Sequence, residues 1–217
     1  MLKLTFGTSH RSDLKVLCLG AHSDDIEIGC GGTILRLIEE YENIEIYWMV
    51  FSARGLRRRE ARASAQSVLQ GLKKKIIVTK NYRDGFLPFD GGAIKDEFES
   101  LKKKFSPDLI LTHYRDDRHQ DHRVISDLTW NTYRNHLILE YEIPKYDGDI
   151  GNPNFYVELT RTHCEKKRDL IVKHFVSQHH KHWFTENLLF SVLRIRGMES
   201  GRSSEYAEGF YFRKAAY

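Results

Sequence analysis

Lys15-Val-Leu-Cys-Leu-Gly20, followed by Ala21-His-Ser-Asp-Asp-Ile-Glu-Ile-Gly-Cys-Gly-Gly-Thr33, is the stretch that decides how this chain folds. The apolar run to Gly20 predicts a buried strand. Ile34-Leu-Arg-Leu-Ile-Glu-Glu40 predicts an amphipathic helix. His22, Asp24 and Asp25 therefore leave the carboxyl end of a strand just before a helix begins. In an open parallel α/β sheet, ligands bind at such places. A histidine and two carboxylates within four residues offer metal ligands and a proton acceptor together.

Outward from there, strands and helices alternate. Strands are expected at 44–51, 75–79, 108–112 and 136–143, with helices at 57–72, 94–105 and 121–135 between them. Residues 82–92, rich in Gly, Asp and Pro, read as a loop. This alternation implies an α/β, Rossmann-like three-layer fold with a largely parallel central sheet. The first thirteen residues read as a short arm. The chain is expected to form a single domain over 1–217, with a core at 15–143 and an irregular extension at 144–217 wrapped over the sheet. In that extension a strand is expected at 155–159, helices at 163–180 and 185–195, and a last strand at 209–214.

Composition bounds the function. The 217 residues are 41% hydrophobic and 29% charged, an ordinary globular balance. The net charge of +4 is too small to imply a nucleic-acid binder. No apolar run approaches the roughly 20 residues of a membrane span. The three cysteines show neither metal spacing nor a disulfide pattern, which suits a cytoplasmic protein.

Thr112-His-Tyr-Arg-Asp-Asp-Arg-His-Gln-Asp-His122 is a second dense motif, again between a predicted strand and a predicted helix. If the first and fourth strands are neighbours, both motifs meet at the carboxyl edge of the sheet. His22, Asp25 and one histidine of the second loop then make a three-ligand site that leaves a position open for water. Adjacent Asp24 and Asp25 diverge, so one is free to bind metal while the other serves as a base. Alternatively, either aspartate serves only as a helix cap. Gly29-Cys-Gly-Gly32 is a partial dinucleotide fingerprint that lacks its third glycine. It is read as allowing close approach of loop and strand. His179, His180 and His182 read as a solvated face.

These residues carry a family resemblance. Ala21 to Thr33 resembles the AHPDD-x-E-x-G-C-G-G-T motif of the LmbE-like, or PIG-L, N-acetylglucosaminyl deacetylases, with Ser23 in place of the usual proline. Thr112 to His122 resembles the family's THY-x-x-D-x-H-x-D-H motif. Arg57 with Glu60, Ser177-Gln178 and Ala207-Glu-Gly-Phe210 resemble weaker elements. The resemblance implies that His22, Asp25 and His122 hold zinc or another divalent ion, one per chain. It implies Asp24 as general base, His119 as the electrophilic or acid residue, and Asp121 as a group that holds a histidine from behind. Asp117 and His113 border the site in supporting roles. Arg57 is matched to a substrate-binding arginine, although Arg54, Arg58 and Arg59 crowd the same place. The implied function is a zinc-dependent hydrolase that removes an N-acetyl group from an amino sugar or a related small conjugate. No nucleic acid is expected as a partner, and self-association is left open. The competing readings are a dinucleotide-binding protein using Gly29 to Gly32, and a metal-binding protein without catalysis.

Overall fold

The computed structural model describes residues 13–201 and 203–215; His10 and nearly all of the expected N-terminal arm lie outside them. Among the described residues, seven strands form one sheet: β1 (Leu14–Gly20), β2 (Ile44–Val50), β3 (Lys74–Thr79), β4 (Leu109–His113), β5 (Leu137–Tyr141), β6 (Phe155–Leu159) and β7 (Tyr206–Phe212). Their order is β3-β2-β1-β4-β5-β7-β6, with the first five parallel. The order reverses between β1 and β4, so this is the topological switch point. The C-terminal segment covers one face with a helix, but its strands do not wrap over the sheet as expected. They extend the sheet, with β7 antiparallel to both β5 and β6.

The central strands are apolar on both faces because helices cover both. Val16 and Cys18 of β1 face one core, and Leu17 and Leu19 face the other. The first core packs under α1 (Asp25–Glu40), α2 (Gly55–Val68) and α5 (Arg161–His174). The second packs under α3 (Gly91–Lys104) and α4 (Gln120–Thr132). A sixth helix, α6 (Glu186–Glu199), lies against β7.

Helix α1 begins at Asp25, nine residues before the apolar stripe that predicts it. The glycines therefore sit inside a helix and not in a turn. A Cβ on Gly29 would overlap the Tyr141 ring, and one on Gly32 would overlap Leu159. They let helix and sheet approach, so the loop-to-strand expectation is corrected. A buried helical segment offers no open cradle for a pyrophosphate, which removes the dinucleotide reading.

Helix α1 also breaks at Cys30, whose φ of −144° and ψ of 18° are not helical. A buried ion pair from the C-terminal segment fills the break. Glu208 accepts the N–H groups of Gly32 and Thr33 at 2.8 and 2.7 Å, capping the second half of the helix. Lys167 donates to the Ile28 carbonyl at 2.6 Å and to Glu208 at 2.7 Å. Removing one partner strands the other as a buried charge. Lys167→Met is therefore expected to lower unfolding free energy by about 3 kcal/mol. Denaturant unfolding checks this, and a loss below about 1 kcal/mol would contradict it.

Candidate active site

Because β1 and β4 pair, the two motifs meet at the carboxyl edge of the sheet. Ala21 to Asp24 link β1 to α1. Tyr114 to His119 link β4 to α4, with His119 at the helix cap. His22 Nδ1 lies 3.1 Å from His122 Nε2. Asp25 Oδ2 lies 3.4 Å from the first of these nitrogens, and its Oδ1 lies 3.5 Å from the second.

The far side of each ring sets its tautomer. His22 Nε2 lies 3.1 Å from Asp121 Oδ2, and His122 Nδ1 lies 2.9 Å from Asp117 Oδ2. An ionised carboxylate only accepts, so those two nitrogens carry the hydrogens. Two lone pairs and a carboxylate then lie within 3.1–3.5 Å of one another, each Asp25 oxygen turned to a different ring. Neutral rings so arranged repel each other unless a cation lies between them. The separations also match the edge of a tetrahedron with bonds near 2.0–2.1 Å, about 3.4 Å. The donor set thus fits a divalent ion, each histidine backed by a carboxylate.

The electrostatics make the same demand. Burial opposes charge on both rings, yet Asp25, Asp121 and Asp84 hold His22 well above the ordinary histidine value. Asp25 and Asp117 likewise raise His122. Burial works against a charged Asp25, but His122, His22 and His113 keep it well below the usual carboxylate range.

Asp24 occupies the cap position of α1, but its side chain does not cap the helix. Its Oδ1 accepts from Arg57 Nη2 at 2.6 Å, and its Oδ2 takes no hydrogen bond from the described residues. Burial raises its pKa; Arg57 opposes this and Asp25 adds to it. Among the crowded arginines, Arg57 is the one paired with Asp24, while Arg54, Arg58 and Arg59 are exposed. Glu60 holds Arg57 at 3.1 Å and is itself fixed by the Ser177 N–H and hydroxyl, at 2.9 and 2.6 Å.

His119 Nδ1 accepts the Asp121 N–H at 3.2 Å, which leaves the hydrogen on Nε2 in the neutral ring. The ring stacks on His122 with centroids 4.6 Å apart. Burial, and then positive charge on His122 and His22, lower its pKa. His113 is fully buried. Its Nε2 accepts the Ala21 N–H at 2.9 Å, and burial followed by His122 pushes its pKa down to about 4. It stays neutral and shapes the turn beneath the site.

Two site residues escape the sequence reading. Asp84 Oδ1 reaches 3.1 Å from His22 Nε2 from a side chain that is 78% exposed at the mouth. Its loop is tied to the site because Asp121 also accepts the N–H groups of Gly85 and Leu87. Lys145 donates to Asp117 at 3.0 Å and to Asp149 at 2.5 Å, behind His122. Each lies in a loop without histidines, so no local spacing marks it. His179, His180 and His182 are exposed and belong to none of the metal-compatible groups among the described residues. Cys30 is buried, its thiol donates to the Ile26 carbonyl, and burial raises its pKa, so it is no nucleophile.

The chain matches the PIG-L family, described as GlcNAc-PI de-N-acetylase, over residues 17–133. "Uncharacterized deacetylase YaiS" of Escherichia coli strain K12 is 29% identical over 139 residues, 59% of this chain and 74% of that protein. The N,N'-diacetylchitobiose deacetylase from Pyrococcus horikoshii is 25% identical, with a TM-score of 0.71 over 92% of this chain and 83% of that one. GalB, the 4-carboxy-2-hydroxymuconate hydratase of Pseudomonas putida KT2440, reaches a TM-score of 0.73 over 94% of this chain and 98% of that one. At 16% identity that likeness speaks to the fold alone.

Proposed function

The chain belongs to the PIG-L family and is a hydrolytic N-deacetylase; from that premise we propose that it uses one zinc ion, held by His22, Asp25 and His122, to remove acetyl from an N-acetylglucosamine-type sugar or conjugate. The observation that carries this reading is the clustering of two imidazole nitrogens and the Asp25 carboxylate at 3.1–3.5 Å, each ring backed by an aspartate. The Pyrococcus horikoshii protein, named for a diacetylated disaccharide, supports the choice of a sugar acetamide.

A divalent ion bound there supplies Lewis acidity and lowers the pKa of water to about 7. The rest is done by side chains. Asp24 Oδ2 accepts the proton of the attacking water, while Arg57 holds Oδ1 and so fixes the direction of the free oxygen. The buried site keeps the Asp24 carboxyl above its ordinary pKa, which makes it a better base near neutral pH. His119 Nε2–H donates a hydrogen bond to the developing oxyanion, and Asp24 passes the proton it took from water to the departing amine. Asp84, exposed at the mouth, accepts hydrogen bonds from sugar hydroxyls.

Dialysis against a chelator is expected to abolish acetate release from N-acetylated sugars, and zinc is expected to restore it. A metal-loaded protein that releases acetate from none of a panel of free, lipid-linked and nucleotide-linked N-acetyl sugars would overturn the reading in favour of metal binding without deacetylation.

A further inference from the structure

Ten of the chain's 34 basic residues lie between Arg54 and Arg83, with one of its 30 acidic residues, which leaves 24 basic and 29 acidic elsewhere. That one acid, Glu60, is buried and engaged by Arg57 and Ser177. The net positive charge of the whole chain is therefore concentrated on one segment. Arg58, Arg59 and Arg62 stand exposed on α2, and Lys73, Lys74 and Lys75 stand exposed at the start of the edge strand β3. None of the six has a carboxylate partner among the described residues.

Large apolar side chains border the arginines at the start of α2, while the three lysines lie at the amino end of the sheet. Leu56, in the first turn of α2, is 52% exposed, and Phe89 is 79% exposed. Phe89 packs on Phe86, which is covered by the Arg83 guanidinium at 3.5 Å. Arg54 donates to the Asn81 carbonyl at 2.6 Å and so ties the start of α2 to the loop that carries Arg83 and Phe86. This rim follows the carboxyl ends of β2 and β3, on the sheet edge where His22 and Asp24 lie. A hydrophilic polyanion would match the α2 arginines but would leave the apolar side chains in water. An anionic bilayer matches both, because basic groups meet headgroups while apolar groups enter the acyl boundary.

We propose that the α2 face and the Leu56–Phe89 rim dock this protein on an anionic lipid surface, with the mouth of the active site at headgroup level. Binding needs neither metal nor turnover, so its outcome is independent of the deacetylase reading. The test is co-sedimentation with vesicles of phosphatidylcholine alone and of phosphatidylcholine mixed with phosphatidylglycerol. The full chain is expected to bind the anionic vesicles at least about tenfold more tightly, and to release in high salt. The triple variant R58E/R59E/R62E, altered only at exposed positions, is expected to lose at least about 100-fold in that affinity. L56S/F89S is expected to weaken vesicle binding while leaving heparin binding unchanged. Equal or absent binding to the two vesicle types would overturn the proposal. So would vesicle binding that L56S/F89S leaves intact, which would assign the face to a soluble polyanion.

Discussion

Asp24→Asn is expected to lower kcat by at least about 100-fold while fold and metal content survive. The substitution keeps the size of the side chain and an oxygen for Arg57, but the amide cannot accept a proton. The loss corresponds to roughly 3 kcal/mol or more at about 1.36 kcal/mol per tenfold in rate. Asp24 is suited to this role by two features that Asp25 lacks. One of its oxygens takes no hydrogen bond from the described residues, and burial holds its pKa up. Asp25 has the opposite character: it sits among three imidazoles and is held well below the usual range. A carboxylate so stabilised is a poor base and a good ligand. Steady-state kinetics on the purified variant check this, and an unchanged kcat would remove Asp24 from the proton transfer.

His122→Ala is expected to reduce bound metal from about one per chain to less than a tenth of that, and to abolish activity. The fold should survive, because Asp117 keeps Lys145 at 3.0 Å and the His119 N–H at 2.7 Å. Asp117→Asn, which leaves all three donors in place, should weaken metal binding by about 10- to 100-fold. That graded response separates a carboxylate acting through His122 from one that only fills space. Metal titration of the two variants distinguishes them, and wild-type affinity in His122→Ala would refute the ligand set.

Much of this site is legible in the sequence because its parts lie in two short motifs at strand ends. The pairing of β1 with β4 then brings together residues about a hundred positions apart. Strand positions follow from apolar runs, which the structure buries on both faces in β1 and β4. The start of helix α1 is hidden in the sequence. Its first turns hold Asp, Glu and three glycines, which favour turns locally, and tertiary packing on Tyr141 and the Glu208–Lys167 pair overrides that preference. Asp121 is expected to hold a histidine, and the ring it reaches is His22, 99 positions away, which no spacing within its own motif identifies. Asp84 and Lys145 show the limit of local reading. Each reaches the site from a loop whose path is set by backbone hydrogen bonds or loop ion pairs. The antiparallel ending of the sheet is hidden for a related reason, since strand direction leaves no periodic mark in a five-residue run such as β6.

Elemental analysis of Asp24→Asn and Asp25→Asn, purified side by side, separates the roles of the two adjacent aspartates. About one zinc per chain is expected in Asp24→Asn, and little or none in Asp25→Asn. Zinc retained in Asp25→Asn and lost from Asp24→Asn would contradict it.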